Sequence, residues 1–403
     1  MVHQTENGTA PIRARPSSDG GASSRFDAVI VGAGVIGLAC AWRAAASGLS
    51  VCVVERGTPG AGASSVAAGM LAPVGEVSWG EERLLSLNLA SAHMFEAFST
   101  ELENSSGLPV PYRRCGALHI ALDRDEAEEL RRRFTLQQSL GLDVRWLSPS
   151  ECRDLEPSLS PEAGPGIYAA DDAEIDPRAL LAALQRACEP AGVTIITAAE
   201  VTELRLRDTT VEGVVLATGE ELTASSIVVA AGCWSGDAAW LPAEIRPPVR
   251  PVKGEILRLR GPADDPIVTR MVGGERAYIV PRENGEVVVG ATVEERGFDT
   301  SVTAAGVHEL LREAYRTLPE IAELEFVEAS AGLRPGTPDN APIIGVTELD
   351  GLILATGHYR NGILLAPITA EIVAALLCGE QPPDVAVAVG PQRFAAPVAA
   401  ASR

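Results

Sequence analysis

The sequence has no CxxC pair, no long unbroken apolar run and no surplus of positive charge, and each absence excludes a class of function. Seven cysteines (Cys40, Cys52, Cys115, Cys152, Cys188, Cys233 and Cys378) stand singly, which suits neither a zinc site nor a disulfide scaffold. No metal is expected, and a reducing cytoplasm is the expected setting. The most apolar stretch, residues 28–42, is interrupted by three glycines and ends at Arg43. It falls short of the roughly 20 residues that a bilayer crossing demands, so no membrane helix is expected. Residues 1–25 are polar and rich in Gly, Ser and Pro; lacking the apolar centre of a signal peptide, they read as a disordered tail. Residues 386–403 read as a second, loose tail.

The 33 basic side chains face 54 acidic ones, a formal net charge of −21. That field repels phosphate backbones and anionic headgroups, which argues against nucleic acid as a partner. A carboxylate substrate is repelled too, so a site for one must carry its own buried arginine. Only five histidines occur, in scattered contexts, and no Ser/His/Asp or paired-carboxylate device stands out.

What is present is a globular chain of 403 residues, 46% hydrophobic and 22% charged, long enough for two domains of about 100 to 200 residues each. Residues 26–31 form an apolar, β-branched run, followed by a glycine loop, a segment of helical composition at 35–47 and a second apolar run at 50–55. This is a βαβ unit. Within it Gly32, Gly34 and Gly37 fit GxGxxG: Gly32 for the tight turn, Gly34 for approach to a pyrophosphate, Gly37 for helix-to-strand packing. Glu55 ends the second strand about 20 residues further on, where a carboxylate accepts from an adenosine ribose and disfavours a 2′-phosphate. This unit alone leaves NAD and FAD open.

Residues 193–196, 227–231 and 352–356 have the same look of strands buried on both faces. Between them lie an alternating stretch at 114–122, a charged helix at 125–138 and a hairpin at 277–292 that turns at Asn284-Gly285 in a tight two-residue turn. The expected fold is α/β, with a Rossmann-like dinucleotide domain built on a parallel sheet and a second, α+β substrate domain with a mainly antiparallel sheet. The first is expected from residues 26–110, 165–245 and 330–385, the second from 111–164 and 246–329.

The fingerprint, the small-residue loop at 64–70 (Ser-Ser-Val-Ala-Ala-Gly-Met), residues 230–235 (Ala-Ala-Gly-Cys-Trp-Ser) and residues 357–365 (Gly-His-Tyr-Arg-Asn-Gly-Ile-Leu-Leu) together resemble those of the FAD-dependent D-amino-acid oxidases. Within that superfamily they are similar to the glycine oxidases of thiazole (thiamine) biosynthesis. The resemblance runs from about residue 26 to 379. It implies that Val35, Ile36, Glu55, Arg56, Ser64, Ala68, Gly69, Met70 and Val201 line FAD, with Tyr359, Asn361, Gly362, Ile363 and Leu364 beneath the flavin. A helix opening at Asn361-Gly362 and running through Pro367 to Leu377 is expected to stabilise the reduced ring. Sarcosine oxidase relatives tether FAD to a cysteine near the Thr337-Pro338-Asp339 segment, and residues 331–345 contain none, so noncovalent FAD is expected.

Arg334 follows an apolar strand and precedes a proline; its planar fork suits a carboxylate, and a structural ion pair with Asp339 or another acid is the competing reading. Tyr278 stands at the start of a strand, where it is either core or a ring whose hydroxyl completes a carboxylate grip. The resemblance implies the binding role for both, and places Arg360 near the site entrance or the flavin. Relatives carry His at Arg276 and Met at Val293, which leaves pocket charge and volume open. The expected reaction is oxidation of glycine through the imine to glyoxylate and ammonia, with dioxygen reduced to hydrogen peroxide. Sarcosine or small D-amino acids as substrates, a dehydrogenase of the same fold, a catalytically silent FAD module and homo-oligomeric assembly all stay open.

Overall fold

The computed structural model describes residues 25–394, so the tails expected at 1–24 and 395–403 lie outside the described residues. Strand Arg25–Val31 sits at the centre of the first sheet. It pairs in parallel with Val51–Val54 on one side and Glu221–Val229 on the other, and Thr194–Ile196 and Leu352–Thr356 continue the parallel array outward. Both faces of this sheet are covered, so Ala28, Val29 and Ile30 are all at 0% exposure whichever way they point. This is why the strands read as unbroken Val and Ile runs with no alternation.

Helices Val35–Ala46, Glu82–Ser106, Pro177–Cys188 and Ala366–Leu377 close one face. On the other, Leu204, Val211 and Val214 of the antiparallel pair Val201–Arg207 and Thr210–Leu216 pack with Ala238 and Leu241. Each large aliphatic side chain buried in this way contributes about 1.5–3 kcal/mol, so the glycine loop rests on a stiff base.

The second sheet runs Glu325–Gly336, Arg250–Arg260, Glu286–Gly290, Tyr278–Pro281, Met271–Gly273, Ala117–Ile120, Gly166–Ala169, Arg145–Leu147. Its pairings are antiparallel except for Met271–Gly273 with Ala117–Ile120. Asp123 and Thr303 cap its helices Arg124–Ser139 and Ala304–Thr317 by accepting from the Glu126 and Gly306 N–H groups, each such cap contributing about 1 kcal/mol. Strand Arg250–Arg260 carries the only lysine of the chain, Lys253. It is fully buried, with Nζ 2.8 Å from Glu255 Oε1. That hydrogen bond raises the Lys253 pKa, and the same carboxylate oxygen accepts from Thr303 N and Oγ1 at 3.1 Å.

Four expectations are corrected. The boundary at 330 cuts through strand Glu325–Gly336, and the one at 165 puts the whole of strand Gly166–Ala169 in the wrong unit, because both strands find their hydrogen-bond partners in the second sheet. The hairpin closes with three loop residues, not two: Arg282 N donates to Glu286 O at 2.8 Å, and only Gly285 has positive φ, +81°. The C-terminal helix begins at Ala366, not at Asn361-Gly362. Pro367 cannot supply the N–H that Ile363 O would accept in a helix, and Ala366 N caps that carbonyl instead at 3.2 Å. Residues 386–394 are not a loose tail, since Ala386 and Val389 are buried and Arg393 Nε bonds Asp339 Oδ2 at 2.8 Å. No helix among the described residues is long and apolar enough to cross a membrane.

Candidate active site

A cavity of about 990 Å³ opens between the two sheets, at the top of the range for small-molecule sites. One end is the glycine loop. Gly32 has φ +109°, and a side-chain carbon on Gly37 would overlap Gly32 O, so the helix can begin this close to the strand only without one. Leu38 is the first residue in the helical ladder, donating to Gly34 O at 3.0 Å, and Ser64 Oγ takes the Val35 N–H at 3.1 Å. The N–H groups of Ile36 and Gly37 are left for a ligand, at the positive end of the helix dipole. Glu55 accepts from Ala33 N and Gly57 N, both at 2.8 Å, which fixes its carboxylate at the cavity wall. Arg56 lies over the Trp234 ring, 4.2 Å from its centroid.

The small-residue loop is a turn of helix, Ala63–Val66, leading into strand Met70–Leu71. Three arginines hold it by its carbonyls: Arg178 Nε and Arg258 Nη2 on Ser65 O at 3.1 and 3.3 Å, and Arg282 on Ala68 O. Small side chains leave the backbone accessible, and the guanidinium groups supply the order that such a loop lacks by itself.

At the other end stand Arg334 and Tyr278. Arg334 Nη1 donates to Thr292 O at 3.0 Å and Lys253 O at 3.3 Å, and Arg334 forms no ion pair among the described residues. Asp339, the alternative partner, is held by Arg393. A side-chain carbon on Gly254 would fall inside the Arg334 guanidinium, and one on Gly290 inside the Tyr278 ring. Both functional groups therefore lie flat on glycine backbone of the neighbouring strands. Burial raises the Tyr278 pKa, opposed by the Arg334 cation. The phenol stays protonated and able to donate.

Arg360 is partly exposed at the mouth, paired with Glu81. His358 is buried and bonded to Thr369 Oγ1 at 3.0 Å; burial drops its pKa to about 3, so its ring is neutral.

The cavity brings together Gly32, Gly34, Val35, Ile36, Glu55, Arg56, Ser64, Ala68, Gly69, Met70, Val201, Tyr278, Arg334, Tyr359, Arg360, Gly362 and Ile363. Gly37, Asn361 and Leu364 are not in its wall. Gly37 acts in packing, Asn361 O accepts from Leu365 N, and Leu364 points into the helical core with its carbonyl bound by Ser91 Oγ at 2.6 Å. Arg276 and Val293 both line the cavity. Glu76, His119, Arg133 and Gly254 also line it without any local sequence signal, because distant segments converge there.

Glu76 is delivered by a loop clamped from below. Asp172 is buried and accepts from Val74 N at 3.2 Å and Gly75 N at 2.7 Å. Burial lifts its pKa from 3.8 to about 7, against those two hydrogen bonds. The folded chain therefore holds a proton that the unfolded chain has released. Stability from this group is present below pH 3.8 and is lost as pH rises through 7, up to about 4 kcal/mol at about 1.4 kcal/mol per unit. Asp172→Asn is expected to flatten the fall in Tm between pH 5.5 and 8. A fall as steep as the wild type's would show that Asp172 does not titrate there.

A family model described as FAD dependent oxidoreductase matches residues 27–376. The chain is 37% identical over 359 residues to a glycine oxidase of Geobacillus kaustophilus, covering 88% of this chain and 93% of that one. It is 37% identical over 351 residues to the bifunctional protein ThiO/ThiG of Trichormus variabilis, covering 86% of this chain but 52% of that protein, about half its length. The crystal structure of glycine oxidase from Geobacillus kaustophilus superposes with a TM-score of 0.82 at 36% identity, covering 89% of this chain and 95% of that one. With the dinucleotide cradle and the family match in agreement, the chain belongs to the FAD dependent oxidoreductase family.

Proposed function

We propose that this chain oxidises glycine, with FAD as cofactor and dioxygen as electron acceptor, giving the imine, which hydrolyses to glyoxylate and ammonia, and hydrogen peroxide. The observation that carries this reading is an arginine free of any carboxylate partner, lying beside a protonated tyrosine in the cavity that also holds the dinucleotide cradle. The residues fit FAD. Free N–H groups of Ile36 and Gly37 suit the pyrophosphate, Glu55 suits the ribose, and the backbone of residues 68–70 and 359–363 suits a planar ring. When bound, FAD supplies two-electron oxidation of a C–N bond, and nothing in residues 331–345 offers a thiol to tether it.

The chain's own residues do the positioning. The remaining N–H groups of Arg334 bind the substrate carboxylate, and Tyr278 donates its hydroxyl to the same group. With two backbone carbonyls on Nη1, the guanidinium cannot rotate, so the substrate Cα is fixed relative to the cradle. Glu55, against the ribose, disfavours a phosphorylated nucleotide. Val293 and Arg276 both line the pocket, so their side chains bear on its volume and charge.

Anaerobic glycine is expected to bleach the flavin absorption, and an unchanged spectrum overturns the reading. An aerobic peroxide assay across glycine, sarcosine, D-alanine and D-proline ranks the substrates. Gly254→Ala is expected to lower kcat/KM for glycine about 10- to 100-fold, the ~1.5–3 kcal/mol of a charge-assisted hydrogen bond, at unchanged FAD content. Wild-type kinetics in that variant would mean that the seat of Arg334 is irrelevant to turnover.

A place in thiamine thiazole formation and a cytoplasmic setting belong to the same reading. Seven free cysteines suit that compartment. Light scattering of the holoenzyme tests assembly into a homo-oligomer. In domain terms, the cofactor unit comprises the first sheet and its helices, and the substrate unit the second sheet, with Arg334 and Tyr278 on its strands.

A further inference from the structure

The segment that joins strand Glu286–Gly290 to helix Ala304–Thr317 has both its feet tied to one strand of the second sheet. At the first foot, Glu255 N donates to Thr292 Oγ1 at 2.9 Å and Thr292 N to Glu255 O at 3.2 Å. Lys253 and Glu294 exchange backbone hydrogen bonds beside them, at 2.9 and 3.0 Å. At the second foot, Thr303 N and Oγ1 close on Glu255 Oε1, the oxygen that Lys253 Nζ also holds. Residues 292–303 are therefore an Ω-loop pinned at its neck, of a length within the roughly 6–16 residues usual for one. Ser301 bonds Asp299 through N and Oγ, and Arg296 pairs with Glu294, so the loop is braced from within.

Its tip leaves the substrate unit and lands on the cofactor unit. Phe298 stacks on Trp234, with ring centroids 6.0 Å apart and planes 19° from parallel. Trp234 stands in the turn Gly232–Ser235, which follows strand Glu221–Val229 of the first sheet. It lines the cavity beside Glu55 and Arg56, and the Arg56 guanidinium lies over its ring. This is the end of the cavity that suits the adenosine half of the dinucleotide. Phe298 itself is 42% exposed, so the core does not depend on it.

We propose that residues 292–303 are a strap across the adenosine end of the dinucleotide site, and that Phe298 is a positioning residue for FAD that acts through Trp234. Packed on the indole, Phe298 holds Trp234, and with it Arg56, in the cavity wall. Without that ring both side chains can turn towards solvent, and the cofactor is released sooner. The strap acts on the cofactor end alone, because Thr292 O, which seats Arg334, belongs to the pinned foot and not to the tip. The proposal rests on FAD in the cradle and not on which amine is oxidised.

The test uses the full-chain holoenzyme. After dilution, free FAD is measured in the filtrate at intervals. Phe298→Ala is expected to release FAD about 3- to 10-fold faster, the size of one aromatic pair, and Phe298→Tyr to stay within about twofold of wild type. In a Trp234→Ala background, adding Phe298→Ala is expected to change the release rate less than about twofold, since the two side chains act as one unit. Acetate, titrated against the visible flavin spectrum at saturating FAD, is expected to keep its wild-type Kd in Phe298→Ala. Wild-type release in Phe298→Ala, or losses that simply multiply in the double variant, overturn the proposal. So does a parallel rise in the acetate Kd, which would mark a generally loosened fold. If acetate leaves even the wild-type spectrum unchanged, the carboxylate grip of Arg334 falls, and the release rates still decide the strap.

Discussion

Replacing Arg334 with leucine is expected to lower kcat/KM for glycine about 100- to 1,000-fold while the protein still purifies with its flavin. Removing one partner of a desolvated charge pair costs about 2–5 kcal/mol, because the other charge is left buried and unpaired. Here the abandoned charge is the substrate carboxylate, inside a chain whose net charge of −21 already disfavours it. The loss should be largest in KM, since the arginine grips a group that does not react, with a smaller effect on kcat from misplaced Cα. Within the protein Arg334 donates to the carbonyls of Thr292 and Lys253 and lies against the Tyr278 hydroxyl, with no carboxylate left stranded, so the fold should survive. Stopped-flow reduction with glycine separates binding from reduction. Near-wild-type values in this variant would remove the carboxylate site from position 334.

Gly37→Val is expected to yield colourless protein. The added carbons would meet Gly32 O and Gly32 C, backbone atoms that cannot swing aside as a side chain can. Opening that contact shifts the helix off the central strand and moves the N–H groups of Ile36 and Gly37 away from the phosphates. Overpacking typically costs 1–3 kcal/mol, and more where only backbone can move, so about 3 kcal/mol or more of stability should be lost as well. The ratio of flavin to protein absorbance and the Tm report the two effects. Yellow protein with wild-type Tm would show that the packing role assigned to Gly37 is wrong.

Residues that act through local chemistry could be read directly. The GxGxxG turn, the carboxylate of Glu55 and the buried strands at 28–31, 51–54, 227–229 and 352–356 follow from rules that span about 30 residues; the strand at 194–196, expected to be buried on both faces, is instead a half-buried edge of the sheet. The C-terminal helix was harder: Asn361-Gly362 looks like a helix start, but Pro367 breaks the ladder and the helix waits until Ala366. Domain boundaries were harder still, because strand Glu325–Gly336 belongs by hydrogen bonding to the second sheet while the chain directly after it returns to the first. Arg133 and Glu76 were beyond reach. Their neighbours in sequence form an ordinary charged helix and an ordinary loop, and only the convergence of both on one cavity gives them meaning. Gly254 was invisible for a related reason, since its value lies in the space that Arg334 occupies from the adjacent strand.

Lys253 has a practical consequence. Since the chain's one ε-amine is sealed in the second sheet against Glu255, succinimidyl dyes and glutaraldehyde find no lysine to attack on the described surface of the native protein. Site-directed conjugation should go through the exposed thiol of Cys378 instead. A tryptic digest will cut this chain almost entirely after arginine, so a peptide ending at Lys253 becomes a direct marker that the sheet has opened.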